Sequence, residues 1–294
     1  MTLILVLLIL AFSLVMASDR LATSPSQTSV RQDPGIERIM AFDDSIWCGA
    51  APTSEGLEHL RSMGVKTVIS VDGAVPDHEQ AAALGIRYIH LPLSYGRIPE
   101  EMVRSLAAAV HDLKREPVYL HCHHGRHRCA AAAAVACVAL NRLTPEEARD
   151  RMKICGTSSG YDGLWSSVSS TKVIERDELE AIDLNFPRAV EPQGMIALMV
   201  DAQDAMDRLK ADLVSDTAAS DAAVIAEAMR AMQRNAAVEQ YGVDFARQLD
   251  TTWQLANALE RALATPGSDQ SNGHQTLLGR LLTSCTACHR AHRR

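Results

Sequence analysis

One short segment restricts the fold of this chain more than any other. Five residues, including Gly125, separate Cys122 from Arg128. A β-branched run precedes Cys122, and an Ala-rich helical pattern follows Arg128. In such a strand-loop-helix unit, the loop N–H groups and the helix N-terminus converge on one point and form an anion site.

The same geometry predicts a reactive thiol. The loop is expected to lower the pKa of Cys122, so that a thiolate nucleophile exists near neutral pH. Arg128 is expected to hold two phosphoryl oxygens in a bidentate manner, and Gly125 permits close approach of the backbone to the anion.

The surrounding sequence predicts an α/β domain with a central sheet flanked by helices, over residues 36–170. Short apolar runs at 66–71, 88–91 and 117–121 predict buried strands. Helices are predicted between them and after them, and the predicted helices cover 54–63, 98–113, 130–140 and a stretch opened by Thr144-Pro145-Glu146-Glu147.

The loop His121-Cys122-His123-His124-Gly125-Arg126-His127-Arg128 resembles that of the Cys-based protein tyrosine and dual-specificity phosphatases. Stretches 47–52, 64–69 and 85–90 also look like the small bacterial members of that family. The resemblance implies a cysteinyl-phosphate on Cys122 and a transition state stabilised by Arg128. It implies as substrate a phosphorylated protein or a small phosphate ester. The residues then expected to bind phosphate are His123, His124, Gly125, Arg126 and His127.

Two positions depart from that family. Cys129 stands where members usually place Ser or Thr, whose hydroxyl supports departure of the thiolate. The Asp general acid is also missing, because residues 92–99 contain no carboxylate. A phenol leaving group needs such an acid least. The nearby substitutes are Asp72, Asp77 and Glu100.

The loop histidines and Cys129 allow several interpretations. Protonated His123, His124 and His127 would add positive potential for a dianion. Alternatively, they occupy variable positions and point outward, or they hold zinc. Cys122 and Cys129 would form a protective disulfide in an oxidising compartment, or Cys129 is simply a buried helix residue.

The chain changes character near Pro187, after which no strand pattern appears. Helical stretches are predicted at 193–213, 219–240, 243–264 and 275–292, with apolar positions spaced by three and four residues. This predicts an all-α four-helix bundle over 191–294, connected to the first domain by a linker at 171–190.

The last predicted helix carries Cys285, Cys288 and His289 in a Cys-x-x-Cys-His motif. On a helix, two cysteines at this spacing share a face and can add to the haem vinyl groups, while the His reaches the iron. This end of a bundle resembles cytochrome c′ and related class II cytochromes. The resemblance implies a covalent haem c with His289 as iron ligand. A zinc half-site or a redox disulfide is the alternative.

The resemblance also implies a residue over the distal face of the haem. Met195, Ile196 and Met199 lie in the relevant turn, where Met as ligand gives an electron carrier and an apolar residue leaves a site for a gas. Met195 and Met199 are otherwise core residues. His274 and His292 are weaker candidates, and His292 is expected to be solvated.

The N-terminus predicts export. Residues 1–17 are almost continuously apolar and are interpreted as a signal peptide or N-terminal anchor, followed by a linker at 18–35. The protein is therefore expected in the periplasm or another extracytoplasmic space. Its net charge of -7 argues against nucleic-acid binding.

Two functions fit these observations. The first is a phosphomonoesterase with a haem module that senses redox state or a gas. The second is a haem electron carrier or gas binder whose phosphatase-like domain only binds an anion. A redox partner suits either function, and homodimers are frequent in the bundle family.

Overall fold

The computed structural model describes residues 29–113, 116–159, 161–190, 194–265 and 271–292. The predicted signal peptide or anchor at 1–17, and the linker as far as residue 28, lie outside the described residues. Among the described residues, no helix combines the length and the apolar character needed to cross a membrane.

The N-terminal domain is built on one sheet with the strand order β1-β2-β3-β6-β4-β5. Strands β3, β6, β4 and β5 pair parallel with one another, whereas β2 pairs antiparallel with β3 and β1 pairs antiparallel with β2. The carboxyl ends of the parallel strands therefore meet at one edge, where α/β proteins bind their ligands. The strands are β1 (Arg31–Asp33), β2 (Ile36–Ala41), β3 (Ile46–Ala50), β4 (Thr67–Ser70), β5 (Arg87–His90) and β6 (Val118–Cys122).

The described residues of this part of the chain form seven helices. The helices are α1 (Ser54–Ser62), α2 (His78–Ala83), α3 (Glu100–Asp112), α4 (Arg128–Ala139), α5 (Pro145–Cys155), α6 (Asp162–Ser170) and α7 (Arg176–Glu180). The predicted start of α5 is confirmed, since Thr144 and Glu147 form a reciprocal capping box.

The sheet separates two apolar cores because strand side chains alternate between its faces. On β6, Tyr119 faces the core that includes Leu57 of α1, whereas Leu120 faces the core that includes α4. Every residue of α4 is buried. The abundant Ala residues thus serve to let this central helix pack closely on its neighbours.

Both predicted linkers are partly folded into the domain. Arg31–Asp33, assigned to the first linker from sequence, is strand β1 because it pairs with β2. The segment 171–190 is not a free linker either. It contains α7, and its apolar residues, among them Ile174, Leu179 and Phe186, pack on the core of the first domain.

The C-terminal region is helical. It contains α8 (Met195–Ala211), α9 (Ala218–Gln233), a 3₁₀ turn (Ala236–Tyr241), α10 (Gly242–Leu263) and α11 (Ser271–His292). Each long helix packs on the next one in the chain, and α8 and α11 have no comparable mutual contact among the described residues. A cleft lies between these two helices.

Candidate active site

The loop after β6 is held tightly by its neighbours. Gly125 has a φ of 67°, and a Cβ there would lie 2.3 Å from the Ala50 nitrogen, so only glycine fits. The carbonyl of His123 accepts a hydrogen bond from the Ala51 nitrogen at 3.1 Å. Thr157 Oγ1 donates to the Arg126 carbonyl at 2.7 Å. These contacts fix the curved backbone that joins Cys122 to α4.

Cys122 and Arg128 are both buried at the carboxyl edge of the sheet, as the strand-loop-helix pattern predicts. Arg128 Nη1 donates to the Leu93 carbonyl at 3.2 Å, and its guanidinium lies 4.5 Å from the centre of the Tyr95 ring. Arg128 Nη2 contacts Asp72 Oδ1 at 3.4 Å. The guanidinium is therefore positioned by the loop at 92–96 and by the end of β4.

The state of Cys122 differs from the prediction. A hydrogen bond with the Cys129 thiol and burial raise the pKa of Cys122 well above its ordinary value. The charge of Arg128 acts to lower this pKa, but the effects of Cys129 and of burial outweigh it. Cys129 is a free, buried thiol. Its predicted disulfide with Cys122 is absent from the described structure.

The buried thiols continue behind the loop. Burial acts to raise the pKa of Cys129, but interactions with Cys122 and with Cys48 outweigh burial and lower that pKa. The Cys48 and Cys155 sulfurs lie 3.5 Å apart. The nucleophile thus has a polarisable sulfur environment at its back.

The loop histidines do not point outward, and two of them do not add positive charge. Burial, followed by the charge of Arg230, lowers the pKa of His123 to about 2. Burial lowers the pKa of His127 to about 3. Both are therefore neutral at pH 7. Each has its own partner: His123 Nδ1 contacts Arg230, and His127 packs against the Tyr161 ring.

His124 is the exception. Burial acts to lower its pKa, but Glu260 outweighs that effect and raises the pKa above the ordinary value. His124 Nε2 lies 2.9 Å from Glu260 Oε2 and 3.2 Å from Asn257 Oδ1. The zinc interpretation finds no support, because the described residues contain no group of three His, Cys, Asp or Glu side chains arranged to hold a metal ion.

The candidate general acids are unsuited to that role. Asp72 is at the site, and burial acts to raise its pKa. The charges of Arg230 and Arg128 nevertheless lower that pKa far below its ordinary value, so Asp72 has no proton to donate. Asp77 caps α2, and Glu100 is exposed at the start of α3.

Helix α9 supplies site residues that the sequence analysis missed. Glu227 is bonded to Arg128 Nη1, and its Oε1 accepts from the Gly73 nitrogen at 3.0 Å. Burial raises the pKa of Glu227 to about 7, against the opposing effect of Arg128. Arg230 Nη1 donates to Asp72 Oδ2 at 3.0 Å. A signal for them exists in the sequence: between Ala222 and Ala231, α9 has no other charged residue.

A cavity of about 440 Å³ leads to this group of charges. It lies between the loop at 92–96 and helices α8 and α9, and Arg128 and Glu227 both line it. Its volume is in the range of small-molecule sites.

The predicted haem residues lie together in the cleft between α8 and α11. Two adjoining cavities of about 230 and 450 Å³ share Met199, Gln203, Cys288 and His289. Cys285 lines the smaller cavity, whereas Met195, Ile196 and His292 line the larger one. Both cysteines are free thiols.

The two weaker candidates for a residue over the haem have surroundings that differ from the predictions. His274 borders a separate cavity with Arg126 and Ser158, so it does not reach the cleft. His292 is only partly exposed, because its ring packs against Phe245 at 5.2 Å and its Nε2 is buried.

The N-terminal domain, with its parallel sheet edge and Cys-x₅-Arg loop, is similar to phosphatase domains of the dual-specificity type. Residues 25–161 match the family model described as "DSP-PTPase phosphatase fused to NAD+ Kinase". Over 140 residues, the chain is 25% identical to the dual specificity protein phosphatase TpbA of Pseudomonas aeruginosa, covering 47% of this chain and 62% of TpbA.

Two further comparisons involve the same part of the chain. A probable chloroplastic NAD kinase 2 of Oryza sativa subsp. japonica is 32% identical over 96 residues, which are 30% of this chain and 10% of that protein. The crystal structure of P. aeruginosa TpbA superposes with a TM-score of 0.43 at 22% identity, covering 53% of this chain and 96% of the other. The chain thus spans less than two thirds of either curated relative.

Proposed function

We propose that this protein is an exported phosphomonoesterase with a covalently attached haem c. The Cys-x₅-Arg loop supports the first part of the proposal, since Cys122 and Arg128 are both buried and Gly125 has the left-handed conformation that the tight loop requires. The Cys122 thiolate attacks phosphorus, the S–P bond forms and the ester P–O bond breaks. Water then cleaves the S–P bond and releases inorganic phosphate and the thiol.

The proposed substrate class is an aryl phosphate, such as phosphotyrosine in a protein or a small phenyl ester. The loop at 92–99 lacks a carboxylate, and Asp72 is held as an anion by two arginines. Neither supplies a proton to the leaving oxygen, and a phenolate departs without a proton far more easily than an alkoxide does.

The test is hydrolysis of a phenyl phosphate up to saturating substrate. We expect Cys122→Ser to lower kcat by about a thousandfold or more, since the nucleophile is lost. Cys137→Ala, which replaces another buried thiol farther along α4, should retain the activity. Equal rates for Cys122→Ser and the unmodified protein would reduce the domain to an anion-binding module.

The cleft between α8 and α11 supports the haem. Cys285 and Cys288 would form the thioethers, His289 would bind the iron, and Met195 or Met199 is available on the opposite helix. Independently of the motif, Ile196 and Val200 at the cleft are 83% and 52% exposed. A flat apolar group seated there would cover this surface. A bound haem would supply an iron that changes oxidation state or binds a gas.

The haem proposal is tested by expressing the protein with haem-attachment machinery and recording its spectrum under denaturing conditions. We expect haem absorbance that stays with the chain, and its loss in Cys285→Ser/Cys288→Ser. Cys155→Ser, which alters a thiol outside the cleft, serves as the control. A colourless unmodified protein would contradict the proposal.

A second candidate function is an electron carrier or gas binder whose first domain only holds an anion. The pairing of Arg128 with Glu227 and Asp72 favours it, since the phosphate-binding residue is already engaged. The apolar segment at 1–17 supports an extracytoplasmic location in both cases.

A further inference from the structure

Glu227 from the helical domain lies where an oxyanion would be bound. Its carboxylate is held by the Arg128 guanidinium and by the Gly73 nitrogen, and only 8% of the residue is exposed. A guanidinium and a backbone N–H are also the donors that proteins use for phosphoryl oxygens. The carboxylate therefore has both the charge and the hydrogen-bonding capacity of part of a phosphate group.

Glu227 and a phosphate ester cannot both use Arg128. The guanidinium already contacts Asp72 on its other nitrogen, and it is almost completely buried. A dianionic ester brought next to two carboxylates would meet strong repulsion at low dielectric constant. Binding of the ester thus requires Glu227 to move away.

The Glu227 carboxylate satisfies the hydrogen-bonding groups of the site only in part. Arg128 Nε and Glu227 Oε2 are both buried, and neither has a hydrogen-bond partner among the described residues. Buried polar groups without partners are costly. A tetrahedral phosphate has three terminal oxygens and can offer the guanidinium a second acceptor, so it can displace the carboxylate.

Helix α9 is fixed over the site by further contacts. Arg230 pairs with Asp72 at 3.0 Å, and Arg234 donates to the Val75 carbonyl. The same helix lines the haem cleft through Ile225 and Met229. The element that carries Glu227 is therefore shared by both sites.

We propose that Glu227 is an intramolecular competitor of the phosphate group, so that the helical domain inhibits the phosphatase domain of its own chain. This inference rests on the proposed phosphatase function. It predicts that pairing of Glu227 with Arg128 raises KM and the Kd for oxyanions. Only the fraction of molecules in which Glu227 is displaced can bind them. It leaves kcat at saturating substrate unchanged.

The experiment measures phenyl phosphate kinetics and, separately, tungstate binding by calorimetry on the full chain. Glu227→Gln should lower KM and the tungstate Kd by about tenfold or more, because a charge-assisted pair with Arg128 is lost. Gly73→Ala should act in the same direction, since its Cβ would lie 2.8 Å from Glu227 Oε1 and push the carboxylate away. In a Glu227→Ala background, Gly73→Ala should have no effect.

Asp221→Asn is the matched control, because it neutralises another buried carboxylate on α9 that pairs with Arg208. A similar gain in affinity from Asp221→Asn would mean that loosening of the helix is responsible, and it would overturn the inference. A lower kcat in Glu227→Gln would make Glu227 a proton donor instead of a competitor. Unchanged KM and Kd in Glu227→Gln would also show that Glu227 is not a competitor, but this result would not contradict the proposed phosphatase function. Absence of both binding and turnover in every variant would reject both proposals.

Discussion

At the residue scale, the site contains a nucleophile and an arginine that the sequence predicts. It also contains charged side chains that the sequence does not predict. The Cys122 thiol is hydrogen-bonded to Cys129, and its pKa is raised instead of lowered. Arg128 is a cation shared between Asp72 and Glu227. The loop positions the nucleophile, and its surroundings decide whether the nucleophile is ionised.

Cys129 leads to a prediction about turnover. Cys129→Ser places a hydroxyl next to Cys122, where it can donate a hydrogen bond to the departing thiolate. We expect kcat for phenyl phosphate to rise several-fold to about tenfold. If breakdown of the cysteinyl-phosphate limits turnover, rapid mixing should show a burst of phenol in the unmodified protein and a smaller one in the variant.

The control for this prediction is Cys48→Ser, which changes the next thiol in the group of buried cysteines behind the loop. It should leave the burst unchanged, because Cys48 has no hydrogen bond to Cys122 among the described residues. A kcat for Cys129→Ser equal to that of the unmodified protein, or below it, would show that the thiol at 129 does not limit breakdown.

At the element scale, the local sequence was sufficient to predict elements that have a regular apolar pattern or a clear capping motif. Strands β4, β5 and β6 follow from their β-branched and apolar runs, and α5 follows from its capping box. Strands β1, β2 and β3 and helices α2 and α6 were not predicted, and α7 lies in a segment predicted to be a linker. These elements are short, and pairing or burial against the core stabilises them more than their own sequence does.

Helix α9 illustrates what periodicity predicts and what it does not. Its length and apolar spacing are evident in the sequence, and the residues at 225 and 229 face the cleft as expected for an inner face. The opposite face is also buried, because it lies on the first domain. Glu227 and Arg230 therefore contact the loop at 122–128 instead of solvent.

At the scale of the whole molecule, charged side chains join the two domains around the loop. The pairs are Arg128 with Glu227, Arg230 with Asp72, and His124 with Glu260. The last pair depends on pH, since His124 must be protonated for it to exist as an ion pair.

The sign of that dependence follows from the raised pKa of His124. The stabilising contribution is fully present below the ordinary His pKa of 6.5 and is lost as the pH rises through the folded value above it. We expect an NMR titration of the His124 ring to have its midpoint above 6.5. In Glu260→Gln the midpoint should fall below 6.5, because burial then dominates.

Glu178→Gln provides the comparison for this titration, since Glu178 pairs with Arg104 in the first domain. It should leave the His124 midpoint unchanged. A midpoint that Glu260→Gln does not shift would mean that the ion pair is absent in solution.

The sequence by itself determined which neighbouring residues meet at each candidate site. Cys122, Gly125 and Arg128 lie within one loop, and Cys285, Cys288 and His289 lie within one helical turn, so their spacing alone brings them together. Only the tertiary structure decided which charges face them. Glu227 lies 99 residues from Arg128 along the chain, and its approach depends on how α9 packs across the sheet edge. No local rule encodes that packing, because it is set by the burial of surfaces that are distant in sequence.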